Sequence, residues 1–100
     1  SRGFLMEKTF KPNIDVLVRI AEAFERNPSL KKTELHLASK VRWNSFVKYL
    51  DWLRICNYIR NDTKDEMKVY VLTDSGREMF DKLLKLARDI RSNKTVIMVR

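Results

Sequence analysis

The thirty residues from Leu30 to Ile59, LKKTELHLASKVRWNSFVKYLDWLRICNYI, constrain the fold more than any other stretch of the chain. Two amphipathic helices share it. The first spans about 32–39, with Leu35 and Ala38 turned inward and Thr33 and Glu34 in the first turn, where a cap and a negative charge are favourable. The second spans about 42–55. Its Phe46, Tyr49, Leu50 and Leu53 are spaced three and four apart and so share a buried face. Only Ser39-Lys40-Val41 separates the two helices, so the chain must turn sharply there, with Val41 filling the angle between them. Asn57 stands where a helix commonly ends in left-handed backbone; glycine is usual at that point and asparagine its accepted substitute. Two strand-like runs follow, 58–61 and 67–73, around a polar loop at 62–66.

The flanking segments read as support for this unit. After Pro12, Asn13 is a helix cap and Asp15 complements the dipole; Ile14, Leu17, Ile20, Ala21 and Phe24 give the helix one apolar face. Asn27-Pro28 ends it, because the residue before proline is driven out of helical geometry. Residues 29–31 are a short link with room for one rung of strand. Thr73 caps a last helix over 74–92, in which Gly76 is a modest cost tolerable near the end. Phe80, Leu83, Leu84, Ala87 and Ile90 make its apolar stripe. A short strand at 4–6 and a terminal strand within 93–100, centred on Val96-Ile97-Met98-Val99, complete the reading of residues 1–100 as one domain.

Charge narrows the choice of partner. The net charge is +8 and the sequence pI about 9.9, which favours a polyanion, nucleic acid ahead of an acidic membrane surface. An apolar fraction of 44% suits a folded chain rather than a disordered one. Cys56 is the only cysteine, so neither an internal disulfide nor a zinc cluster can be built around it. No apolar run reaches the roughly 20 residues needed to cross a bilayer, and no secretory leader pattern opens the sequence. The sole histidine, His36, reads as a plain, partly exposed residue. Phosphate-binding glycine loops, paired metal-binding histidines and serine elbows are all missing from the sequence. A non-enzyme without cofactor or metal is expected.

The outer face of the 42–55 helix is where binding chemistry concentrates. Asn44, Lys48, Asp51 and Ile55 point away from the buried side, and Arg42, Trp43 and Ser45 crowd the first turn. Arginine matches guanine O6 and N7, asparagine matches adenine N6 and N7, and serine or lysine takes phosphate or base. Trp43 has two readings: packing on a sugar or thymine methyl, or stapling its helix to the preceding one. Lys31, Lys32 and Lys40 flank the shorter helix, where contacts to phosphate position a protein without reading sequence. Arg60, Lys64 and Lys68 lie in and around the hairpin loop, offset there by Asp62, Asp65 and Glu66. The stripe on the last helix is either the seam of a homodimer or a surface folded back on the first helix of the same chain.

Helix, turn, helix and hairpin in this order are the layout of a winged helix. The specific signals are Lys32-Thr33 with Ala38, Phe46-x-x-Tyr49-Leu50-x-x-Leu53 and Tyr70-x-Leu72-Thr73-x-x-Gly76. Over about 14–86 the chain resembles archaeal and archaeal-viral winged-helix transcriptional regulators and the related dimeric winged-helix chromatin proteins. The resemblance implies an α+β fold, mainly α with a small hairpin: a winged helix-turn-helix over 12–73 and a long dimerising helix over 74–92. It also implies a cytoplasmic, nucleoid-associated homodimer on double-stranded DNA. Arg42, Asn44, Ser45 and Lys48 would lie at the groove and Lys64 in the wing. Architectural coating of DNA without sequence preference, and a winged helix used only for protein assembly, are the alternatives.

Overall fold

The computed structural model describes the backbone of residues 10–99 and the side chains of residues 10–92. Helix α1 (Ile14–Arg26) is followed by β1 (Ser29–Leu30), α2 (Lys32–Ser39), α3 (Trp43–Ile55), β2 (Ile59–Lys64), β3 (Met67–Leu72) and α4 (Asp74–Val99). The strands form one antiparallel sheet in the order β1-β3-β2, with Leu30 opposite Tyr70 and Ile59 opposite Leu72. The rung of strand expected at 29–31 is therefore present, and the hairpin becomes a three-stranded sheet.

Helix boundaries follow local chemistry. Asn13 Oδ1 accepts from the amides of Asp15 and Val16 at 2.8 and 3.4 Å. Asn27 is extended ahead of Pro28. At the start of α2, the Lys31 amide donates to the Glu34 carboxylate at 2.7 Å, which satisfies a donor the helix itself leaves free. At the end of α3, Asn57 is left-handed (φ 62°). Its amide donates to Arg54 O at 3.0 Å and that of Tyr58 to Leu53 O at 2.9 Å, so both orphan carbonyls are satisfied.

One core joins all layers. Leu17, Ile20, Ala21 and Phe24 of α1 meet Leu30, Leu35, the four inward residues of α3, Ile59, Phe80 and Leu84. Helix α1 is buried more broadly than one stripe, adding Val16, Val18 and Ala23, because α2 and α4 both pack on it. Ile14 departs from expectation at 58% exposure: it heads the helix one turn before Leu17 and Val18, where cover begins. Ahead of α1, Phe10 stands edge-on to Tyr49 with centroids 4.9 Å apart, and the Asn13 amide donates to the Tyr49 hydroxyl at 2.8 Å.

Two expectations need correction. Strand β2 runs to Lys64 rather than Asn61, leaving only Asp65 and Glu66 as the turn, at φ 52° and 64°. Two left-handed residues give a turn whose twist matches the flanking strands. The polar Asn61-Asp62-Thr63-Lys64 stretch is poor in strand formers, yet an exposed edge needs only backbone pairing to β3. Asp and Glu bear a steric penalty in that geometry which Asn-Gly would not. Asp65→Asn with Glu66→Gly should therefore raise stability by about 1 kcal/mol. Urea unfolding checks this, and an unchanged or lower midpoint would count against the two-residue turn.

The second correction concerns the C-terminal end. Residues 93–99, expected as a strand, continue α4 as helix to Val99. No proline or glycine interrupts the chain after Gly76, and extending a formed helix costs far less than nucleating a separate element. The strand expected at 4–6 lies outside the described residues.

Candidate nucleic-acid interface

The turn between α2 and α3 is built from bonded backbone. Lys40 is left-handed at φ 58° and projects into solvent. Ser39 beneath it is fully buried; its hydroxyl donates to His36 O at 2.7 Å and its carbonyl accepts from Arg19 Nε at 2.9 Å. Helix α3 then starts after Arg42, which is extended and supplies no side-chain cap. The first-turn amides thus point outward unbonded by a cap, the usual arrangement for receiving an anion.

Around this open end the structure gathers Arg42, Asn44, Ser45 and Lys48, all exposed, while Phe46, Leu50 and Leu53 hold the opposite face in the core. Of the two readings given to Trp43, the structure shows the staple. Its ring meets His36 edge-on at 5.0 Å and Phe46 at 5.5 Å, stapling α3 to α2, yet it remains 43% exposed. The Lys32 ammonium lies 5.3 Å from the ring centroid, a cation–π contact that also holds this base beside the α3 N-terminus. His36 has the partial exposure expected of it, but its ring is engaged with the turn. It is half-buried, and its Nε2 lies 2.9 Å from Val41 O.

The remaining bases are dispersed. Lys31 and Lys64 border one shallow cleft together with Glu34 and Asp65, so its charges offset. Lys68 stands opposite Thr63 in the register, which puts it on the other face of the hairpin from Arg60 and Lys64. Arg60 lies 3.8 Å from Asp62 on its own strand face. A surface pair of this kind is worth little energetically, but the carboxylate offsets the charge that Arg60 offers a polyanion. Sequence reading missed Arg54. It joins Arg60, Asn61, Asp51 and Ile55 around a cleft of about 480 Å³ between α3 and β2. A count of the bases within α3, Lys48 and Arg54, would have found it.

Helix α4 sorts the predicted seam residues into two groups. Phe80 and Leu84 are buried in the chain's own core, with Phe80 and Phe24 stacked 6.3 Å apart. They cannot be presented to a second copy, because α4 uses that side to cover α1. Leu83 and Ala87 are half-buried at its margin, and Ile90 is 57% exposed. Leu86, absent from the predicted stripe, is 55% exposed.

Among the described residues there is no cluster of histidine, cysteine and carboxylate side chains able to hold a metal ion, and no helix long and apolar enough to cross a membrane.

Among curated proteins no sequence matches the chain. Among solved structures it is similar to Sso10a-2, described as a DNA-binding protein from Sulfolobus solfataricus, with a TM-score of 0.59 and 20% identity. That alignment covers 88% of this chain and 94% of the other. At that identity the likeness speaks for the fold. The profile described as winged helix-turn-helix matches residues 12–91, from the α1 cap to the exposed part of α4. The chain belongs to the winged helix-turn-helix family.

Proposed function

We propose that this protein binds double-stranded DNA as a transcriptional regulator, with α3 in the major groove and the β2–β3 wing on the backbone. The observation that carries the reading is the exposed set Arg42, Asn44, Ser45 and Lys48 around the uncapped start of α3. Guanidinium and carboxamide are the groups that read guanine and adenine edges. The DNA-binding description of Sso10a-2 and the net charge of +8 support the same partner. The wing is a secondary contact, since Arg60, Lys64 and Lys68 are matched there by Asp62, Asp65 and Glu66.

Titration of labelled duplexes against salt tests this. Regulation requires affinity that differs by on the order of a thousandfold between a selected site and random duplex. A steep salt dependence with nearly equal affinity for all sequences would instead identify an architectural coat. Failure to bind any duplex would leave protein assembly as the use of the fold.

The same reading includes a homodimer through α4. Half-buried Met79 and Leu83 and exposed Leu86 and Ile90 are spaced four, three and four apart, the rhythm of a coiled-coil seam beside the face that covers α1. In the sequence Ile97 keeps the same seven-residue interval from Ile90. A dimer of this kind would place two α3 helices in successive major grooves, about 34 Å apart. Leu86→Asp with Ile90→Asp should convert a dimer to a monomer in sedimentation. A wild-type chain that is already monomeric at micromolar concentration would remove α4 as an interface.

A further inference from the structure

The turn that presents α3 is held by two side chains that stand outside the exposed reading face. Arg19, half-buried on α1, donates Nε–H to Ser39 O at 2.9 Å. His36, half-buried on α2, meets Val41 O at 2.9 Å through Nε2. A carbonyl oxygen only accepts, so Nε2 carries the hydrogen in this contact. Between these two carbonyls lies left-handed Lys40, a conformation disfavoured for a residue with a Cβ. The His36 ring also lies edge-on to Trp43 at 5.0 Å and 5.1 Å from Phe46, so one imidazole touches the turn, the first residue of α3 and its first core residue.

We infer that Arg19 and His36 are positioning residues of the DNA interface, acting through the backbone of residues 39–41 to set where Arg42, Asn44 and Ser45 stand. The inference rests on the duplex-binding reading above. Neither residue supplies a phosphate contact; each removes the freedom of the turn before DNA arrives. A loosened turn would leave the charges in place and spread their positions, so affinity falls while the number of neutralised phosphates does not.

That separation is the test. Affinity and its salt dependence are measured on one duplex for wild type, His36→Gln, His36→Ala and Arg19→Gln, at a temperature where circular dichroism shows each variant folded. His36→Ala and Arg19→Gln should each bind roughly tenfold more weakly, the worth of one well-made hydrogen bond, with the salt slope unchanged. His36→Gln keeps an N–H donor for Val41 O and should stay within about threefold of wild type. Folded variants with wild-type affinity would overturn the inference and leave the DNA reading intact. A salt slope lowered by about 1 in Arg19→Gln would overturn it too, by showing that the guanidinium touches phosphate. If wild type itself leaves duplex unbound, the DNA reading fails and this inference with it, and all four proteins are then equally silent.

Discussion

Gly76→Ala is expected to lower stability by about 2–3 kcal/mol, or roughly 10–20 °C in unfolding midpoint for a domain of this size. A Cβ at this position would lie 2.7 Å from the Tyr58 carbonyl carbon and closer still to its oxygen. The obstruction is backbone that cannot swing aside, because Tyr58 O already accepts from the Thr73 amide at 3.0 Å. The same corner is cross-tied by hydroxyls. Thr73 Oγ1 donates to Asn57 O at 2.6 Å and Ser75 Oγ to the same oxygen at 2.9 Å, while the Gly76 amide donates to Thr73 Oγ1 at 3.0 Å. The Thr73-x-x-Gly76 pattern is thus a clasp joining the start of α4 to the end of α3. Helix propensity alone predicts the opposite sign, since alanine in place of helical glycine stabilises by about 1 kcal/mol. Thermal unfolding therefore decides between the two on direction alone: a rise in midpoint for Gly76→Ala would remove the clasp.

Arg42→Ala with Lys48→Ala is expected to weaken duplex binding about a hundredfold at fixed salt, the sum of the base contact proposed for Arg42 and the phosphate contact proposed for Lys48. Both side chains are exposed and unburdened by packing, so the unfolding midpoint should move by only about 2–4 °C or less. The salt dependence should flatten by about 1 to 2 in slope, depending on whether Arg42 touches phosphate as well as base. The comparison pair is Arg60→Ala with Lys68→Ala, which should cost less, because Asp62 and the opposed strand faces already divide those charges. Equal losses from the two pairs would make the wing a primary contact. Unaltered binding after Arg42→Ala with Lys48→Ala would place the interface elsewhere.

Features legible in the sequence are those decided within a few residues. Asn13 and Asn57 terminate helices through their own side chain or their own tolerance of positive φ, and the inward face of α3 follows from spacing alone. Features misread there depend on a partner distant in the chain. The length of β2 is set by β3, whose pairing carries four polar residues as strand. The stripe on α4 was a single apolar face in the sequence; only the position of α1 divides it, taking Phe80 and Leu84 and leaving Ile90 outside. His36 is a different case: Val41 is only five residues on, but the 2.9 Å approach of its carbonyl to the ring depends on the left-handed turn at Lys40, which residue spacing does not record.

The sequence by itself determined the order of elements around Leu30–Ile59, the class of fold, and which residues of α3 face away from the core. Hydrophobic periodicity and capping are local, so one-dimensional spacing suffices for them. Tertiary structure alone decided why Gly76 must lack a side chain, which bases share a face, and what holds the turn before α3. Each of these depends on two segments approaching within a few ångströms, from Gly76 to Tyr58 or from Arg19 to Ser39, and no periodicity along one chain records that distance.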